Sequence, residues 1–488
     1  MSSDVDGTND GRPGNATEPT QNTDAPEAKD VIDTKDAAQP RAPTKAIGRF
    51  RRGAAQAVLL LAFGLDLLLY SLVVPFLPQE AKRLGASPLV IGLLFATYAA
   101  GLFAVTPLAA RLTDRAGPRR TLLLGLIALG GSTLLFAYSP MLALGIPGLF
   151  IARAAQGGAS TLTWTAGLAV LVQLYPAEEH PRLFARAFTV TGLSALIGPP
   201  LGGALYSIGG FRLPFLVATG LVVIDGLGRL LLLPGNRLLP GTHPQRAMRR
   251  LLLGDSVFRL GLFAAMAGAL ALSSLEPVTP LLLSVSFGMP PWAIGVAFGA
   301  LALCFVIMQP LVSRSERRLG ARWTIFLGLT FVALCFAGIA LVTRRGTFTN
   351  MPAPSWLQDI IPSMHSIAME PVAVMALLAM LGCALALVVI PAPSLLTSSG
   401  QRLAGAGGAA YGVIFASYSA ADALGTLLGP VLTGGAVATQ GVEQSFLLLA
   451  IAPAVSALII PFWRTRTRLP APAKQPRSAP INEKADEA

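Results

Sequence analysis

The sequence predicts an all-α integral membrane protein with twelve transmembrane helices in two pseudo-symmetric six-helix bundles. Three observations carry that prediction. The first is composition: 488 residues, 53% hydrophobic and only 13% charged, with mean hydropathy +0.62. A water-soluble surface needs about a quarter of its residues charged. The second is a series of charge-free runs, at 84–110, 121–152, 154–177, 187–211, 277–313, 323–343, 371–401 and 444–463. Each reaches the ~20 residues that a bilayer-crossing helix needs. The third is a polar stretch, 234–255, that divides the spans into two groups of six whose motifs echo one another.

Residues 1–52 are polar and poor in large apolar side chains, and they read as a disordered tail. No apolar segment suits a cleavable signal, so the first span is expected to act as an uncleaved insertion signal. Some charge-free runs are long enough for two helices and carry breakers, such as Ser139-Pro140 and Met289-Pro290-Pro291. Splitting there gives spans at 54–77, 88–110, 121–138, 141–172, 184–207, 213–233, 257–284, 292–312, 323–343, 372–397, 408–432 and 444–463. The expected organisation is therefore a tail (1–52), an N-terminal bundle (53–233), a linker (234–255), a C-terminal bundle (256–463) and a second tail (464–488). Within the connection 344–371, Trp356–Ile361 reads as a short interfacial helix.

Basic residues alternate between connections. Arg111, Arg115, Arg119 and Arg120 follow span two, the fourth-to-fifth connection carries Arg182 and Arg186, and Arg237, Arg246, Arg249 and Arg250 occupy the linker. Arg314, Arg317, Arg318 and Arg322 follow span eight, and Arg464, Arg466 and Arg468 open the C-tail. The opposite loops hold only Lys82, Arg83, Arg212, Arg344 and Arg345. The positive-inside rule places both tails in the cytoplasm. The net charge of +12 is thereby assigned to topology, and a nucleic-acid partner is not expected. Asn15-Ala16-Thr17 fits a glycosylation sequon, but a cytoplasmic tail receives no sugar. Cys304, Cys335 and Cys383 sit in apolar runs without disulfide or metal spacing, and the three histidines are scattered singly, so no metal is expected.

A charge at mid-bilayer costs at least ~2.5–3.5 kcal/mol, so each needs a partner or a purpose. Asp66 lies near the middle of span one, with Tyr70 one turn on. Burial of a carboxylate raises its pKa, which suits proton uptake and release. The rival reading is a pairing that only orients helices. Arg153 lies inside span four with Gln156 one turn away; a guanidinium does not deprotonate, so it needs a counter-charge. Asp225 and Arg229 stand at i,i+4 in span six and can pair on one face. Glu276 in span seven has no Lys or Arg near it in its own span, and Pro277 and Pro280 permit a bend. Asp422 in span eleven is open to either reading. Phe95, Tyr98, Trp164, Phe415 and Tyr418 join Tyr70 and Gln156 as candidate cavity lining.

Four motifs, in order and on the right spans, resemble the major facilitator superfamily. They are similar above all to its twelve-span drug:proton antiporters and the related vesicular amine transporters. Leu112-Thr113-Asp114-Arg115-Ala116-Gly117-Pro118-Arg119-Arg120 is close to the family's G-x-L-x-D-R-x-G-R-R loop, with Ala110 at the leading Gly and Pro118 at the first trailing Arg. It is echoed after span eight by Ser313–Arg322. Arg153-Ala154-Ala155-Gln156-Gly157 resembles R-x-x-Q-G. Gly198-Pro199-Pro200-Leu201-Gly202-Gly203 resembles the antiporter motif G-P-x-x-G-G, echoed by Gly429-Pro430 and Gly434-Gly435 in span eleven. The fourth is Asp66 through Pro75 in span one. The chain departs from the amine transporters at Tyr98, where they carry Lys, at Ser419, where they carry an acid, and in span ten, which has none.

The resemblance implies proton-coupled export of a small organic compound by rocking of the bundles. It assigns proton coupling to Arg153. It assigns a gate to the Asp114, Arg115, Gly117 and Arg119 loop, with Asp114 salt-bridged to Arg115 or its neighbours, or capping a neighbouring helix. It assigns sealing between the halves to Gly198, Pro199, Gly202 and Gly203. The bilayer is the setting, the proton gradient replaces a cofactor, and a monomer at the plasma membrane is expected. A vesicular or vacuolar amine:proton exchanger is the alternative. No P-loop suggests ATP-driven transport. His180, His243 and His365 are isolated, which argues against an enzyme, and a sensor would carry a larger cytoplasmic extension.

Overall fold

A computed structural model describes residues 49–176, 179–233, 235, 245–344, 369–404 and 408–463. Residues 1–48 and 464–488 of the tails, 234 and 236–244 of the linker and the proposed interfacial helix at 356–361 lie outside the described residues. Helices in chain order are α1 (Arg49–Leu72), α2 (Leu77–Arg83), α3 (Pro88–Ala116), α4 (Pro118–Tyr138), α5 (Gly145–Leu174), α6 (His180–Gly209) and α7 (Arg212–Leu232). They continue as α8 (Gln245–Gly254), α9 (Ser256–Leu281), α10 (Pro291–Leu319), α11 (Ala321–Thr343), α12 (Met369–Val389), α13 (Pro391–Ala404), α14 (Gly408–Gln440) and α15 (Val442–Ile459).

Eleven spans among the described residues are long and apolar enough to cross a membrane. The twelfth long helix is α5, with 30 residues. It falls short on hydropathy because Arg153, Gln156, Ser160, Thr161 and Thr163 line it. All five are buried against neighbouring helices, so α5 does not have to be apolar on every side. Prolines set several boundaries. Pro75 has no N–H to donate and restricts the residue before it. The first span accordingly stops at Leu72, and a turn leads into the short α2, where an unbroken helix to residue 77 was expected. Pro391 splits the tenth span into α12 and α13 in the same way. Ser87 caps α3 by accepting from the Val90 N–H, with Pro88 at the first helical position.

Helix packing sorts the chain into two bundles. In one, α1 lies on α6 and α7, while α5 lies between α3 and α4. In the other, α9 lies on α14, and α12 lies between α10 and α11. The bundles meet chiefly where α6 crosses α10 and α3 crosses α14. The repeat shows in the backbone too. Gly117 joins α3 to α4 at φ 86°, ψ 156°, and Gly320 joins α10 to α11 at φ 83°, ψ 154°. A left-handed turn of that kind is open to glycine and strained for residues with a Cβ.

Both crossings rest on absent side chains. A Cβ on Gly203 would strike the Pro291 carbonyl, and one on Gly295 would strike the Pro199 carbonyl. Gly92 meets the Pro430 carbonyl and the Gly434 backbone in the same manner. These contacts lie toward the end opposite the basic loops, where α6 finishes and α3 and α10 begin.

Candidate transport site

The centre of the molecule holds the polar groups that the spans would otherwise expose to lipid. Asp66 is 2% exposed. Its Oδ2 accepts from the Ser160 hydroxyl at 2.6 Å and from Trp164 Nε1 at 3.1 Å, and its Oδ1 has no partner. Arg153 is fully buried. Its Nη1 donates to Gln156 Oε1 at 2.7 Å and to the Tyr70 carbonyl at 3.4 Å, leaving Nε and Nη2 unpartnered. The guanidinium lies 4.6 Å from the ring centre of Tyr70, 5.2 Å from that of Tyr98 and 5.4 Å from that of Phe95. An aromatic face attracts a cation, which partly answers the buried charge. Glu276, in the other bundle, accepts from the Tyr70 hydroxyl at 2.8 Å and feels the charge of Arg153. Asp422 on α14 is half-buried, makes no hydrogen bond or ion pair among the described residues, and interacts electrostatically with Tyr98 and Tyr418.

Aromatic rings lie on the basic-loop side of these acids. Trp164 stacks on Phe63 at 4.4 Å within its own bundle and on Phe415 at 5.9 Å across to the other. Phe184 also stacks on Phe415, and Phe188 meets Tyr418 edge-on at 6.1 Å. The structure therefore groups Asp66, Tyr70, Phe95, Tyr98, Arg153, Gln156, Trp164, Glu276, Phe415, Tyr418 and Asp422 around the junction of the bundles. Phe95 is wholly buried beneath Arg153, so it supports that residue.

The other expected residues sit elsewhere. Asp225 is taken up by Arg229, at 2.5 Å with both side chains fully buried, and Arg229 also donates to the Leu122 carbonyl. That pair fastens α7 to α4, and the charge of Arg229 also acts on Asp66. Asp114 and Arg115 are exposed and make no ion pair or hydrogen bond among the described residues, so the expected pairing is absent from this state. Adjacent residues on a helix point in different directions, which explains why the two do not meet. Arg119 donates to the Leu230 carbonyl at the end of α7, next to the Gly117 turn. Of the antiporter motif, Gly198 and Gly202 press on Ser71 and Leu72 of α1 within one bundle. Pro199, Pro200 and Gly203 are the members that meet α10 of the other bundle.

Ser160, Phe63, Phe184 and Phe188 were missed by the sequence reading. Ser160 had a signal: Arg153, Gln156, Ser160 and Trp164 recur at three- and four-residue steps, which is one face of a helix. The phenylalanines lay among many in apolar runs, and only the packing singles them out.

Two six-helix bundles meeting over a buried, part-neutralised acid cluster define a secondary transporter rather than an enzyme. Comparisons with known proteins agree. The family model for the Major Facilitator Superfamily matches residues 59–417, well over half of the chain, and the chain belongs to that family. It is 27% identical over 301 residues to the synaptic vesicular amine transporter of Homo sapiens, covering 58% of this chain and 57% of that protein. The match thus spans little more than half the length of that relative. It is 25% identical over 406 residues to the MFS-type transporter SLC18B1 of Homo sapiens, covering 80% of this chain and 82% of the other. Its fold is similar to the crystal structure of a bacterial homologue of the human lysosomal transporter Spinster in an inward-facing, unoccupied conformation. The TM-score is 0.67 at 13% identity, over 85% of this chain and 97% of the other.

Proposed function

We propose that this transporter exports a small organic compound in exchange for protons, by alternating access at the plasma membrane with both tails in the cytoplasm. The observation that carries the reading is the imbalance at the bundle junction. Three carboxylates, Asp66, Glu276 and Asp422, lie near that junction; the charge of Arg153 acts on Glu276, and that of Arg229, already paired with Asp225, acts on Asp66. A buried carboxylate needs a proton, a cation or an arginine as its companion. The acids outnumber the guanidinium groups free to serve them, which leaves places that protons and a cationic cargo compete to fill. Asp66 Oδ1 and the Asp422 carboxylate are the unpartnered acceptors. The rings of Trp164, Phe415 and Tyr418 offer an apolar face beside them. Proteoliposomes loaded with ethidium or tetraphenylphosphonium and given an imposed pH gradient test this. Transport should follow the gradient and collapse with a protonophore; transport indifferent to the protonophore overturns it.

A second reading, an amine:proton exchanger of an internal membrane, is favoured by Asp422 standing beside Tyr418 without a partner, and by the likeness to vesicular amine transporters. It requires saturable binding of a labelled monoamine that Asp66→Asn and Asp422→Asn both abolish. Binding that survives both substitutions excludes it.

A further inference from the structure

We propose that Tyr70 is a positioning residue that ties the charge on Glu276 to the movement of one bundle against the other; this rests on the alternating-access reading above. Tyr70 belongs to α1 and Glu276 to α9, in opposite bundles. The phenol oxygen stands 2.8 Å from each carboxylate oxygen, so its one proton is shared between them. That bond runs from one bundle to the other. Other contacts across the junction include glycine and proline backbones at the α6–α10 and α3–α14 crossings and aromatic rings near the basic loops. Those contacts are indifferent to the charge of a carboxylate, whereas this bond and the attraction between Arg153 and Glu276 are not.

Tyr70 is also held so that it cannot follow Glu276. Its ring lies 4.6 Å from the Arg153 guanidinium and 4.4 Å from the Tyr98 ring, inclined at 52°, and its carbonyl accepts from Arg153 Nη1. When the bundles part, the hydroxyl stays with α1 and the bond breaks. A hydrogen bond to an ionised carboxylate is about twice as strong as one between neutral groups. The junction is thus tightest with Glu276 charged and loosens when it takes a proton. The groups acting on Glu276 are Arg153 from α5 and Tyr70 from α1; Tyr98 from α3 in turn feels Asp66 from α1, Arg153 and Asp422 from α14. Farther along α9's neighbours, Glu80 of α2 is engaged by Arg83 and Tyr206, and Asp255 pairs with Arg402 of α13 at 3.3 Å. Phe at position 70 keeps every ring contact and removes only the bond.

The test is a distance measurement between the bundles of the full chain in lipid nanodiscs. Nitroxide labels replace the exposed Arg120 and Arg318, with Cys304, Cys335 and Cys383 each changed to alanine. Electron–electron resonance then reads the ratio of joined to separated populations across pH. With Tyr70 unchanged, the ratio should move with pH. Tyr70→Phe should raise the separated fraction at high pH by roughly tenfold or more, as loss of a charge-assisted bond implies, and should flatten the pH response. Tyr70→Phe combined with Glu276→Gln should have less effect than the two changes summed. Tyr206→Phe removes a hydroxyl from a Tyr–Glu contact inside one bundle and should leave the ratio as it was. The proposal is overturned if Tyr70→Phe leaves the ratio unchanged, if the two substitutions add, or if Tyr206→Phe has the same effect. A single distance at every pH with Tyr70 in place would overturn alternating access itself, and this proposal with it.

Discussion

The Asp225–Arg229 pair gives the sharpest quantitative expectation, because it separates a structural ion pair from a transporting one. The Nη2–Oδ2 separation is 2.5 Å and neither side chain has any exposure. Arg229 Nη1 has one further partner, the Leu122 carbonyl at 2.9 Å. Asp225→Ala leaves a guanidinium sealed between α7 and α4 with only that carbonyl. Removing one member of a buried pair costs about 3–5 kcal/mol. Asp225→Leu together with Arg229→Met removes both charges and keeps an apolar contact. Such replacements are often close to neutral, so the double variant should lie about 1 kcal/mol from the parent once the lost bond to Leu122 is counted. Unfolding titrations with sodium dodecyl sulfate in mixed micelles, followed by circular dichroism, measure both. The reasoning is refuted if Asp225→Ala falls within about 1 kcal/mol of the parent, or if the double variant is as unstable as the single one. A double variant that is stable yet has lost proton-driven transport would move the pair into the coupling machinery.

Three further expectations follow from the same geometry. Asp66→Asn should abolish gradient-driven transport while leaving unfolding within about 1 kcal/mol of the parent, because the amide oxygen still accepts from Ser160 and Trp164; normal transport by that variant removes Asp66 from the coupling role. Trp164→Phe keeps an aromatic ring between Phe63 and Phe415 but deletes the indole bond to Asp66, and should change kcat or KM for a cationic dye by roughly fivefold or more, as a net bond of about 1 kcal/mol implies; unchanged kinetics show that the bond is idle. Gly203→Leu should wedge α6 from α10, so that cysteines placed at the end opposite the basic loops become reactive to a membrane-impermeant maleimide. Unaltered reactivity there would mean that the crossing tolerates a side chain.

The helical content and the two-bundle organisation were legible because they follow from hydropathy and loop charge, which a bilayer enforces along the whole chain. The helix ends were less so. Span one stops at Leu72 because Pro75 interrupts it, and the sequence alone does not say whether a proline kinks or ends a membrane helix. At the site, Asp66, Arg153, Glu276 and Asp422 stood out because an ionisable group in an apolar run demands an explanation. What periodicity does not give is which helices meet. Ser160 was recoverable as the next step of the Arg153–Gln156–Trp164 face. The Tyr70–Glu276 bond joins helices that are far apart in the chain and left no trace in it. Gly198 and Gly202 look like Gly203 in sequence, yet they pack within a bundle, because successive helix positions face different neighbours.

The most direct test of the account is to count protons as ligand binds. Purified protein in detergent, weakly buffered near pH 7 with a pH-indicator dye, is mixed with tetraphenylphosphonium. If cargo and protons compete for the same acids, binding releases protons, and Glu276→Gln and Asp66→Asn each diminish the release. Saturable binding with no proton release from the unaltered protein would contradict it.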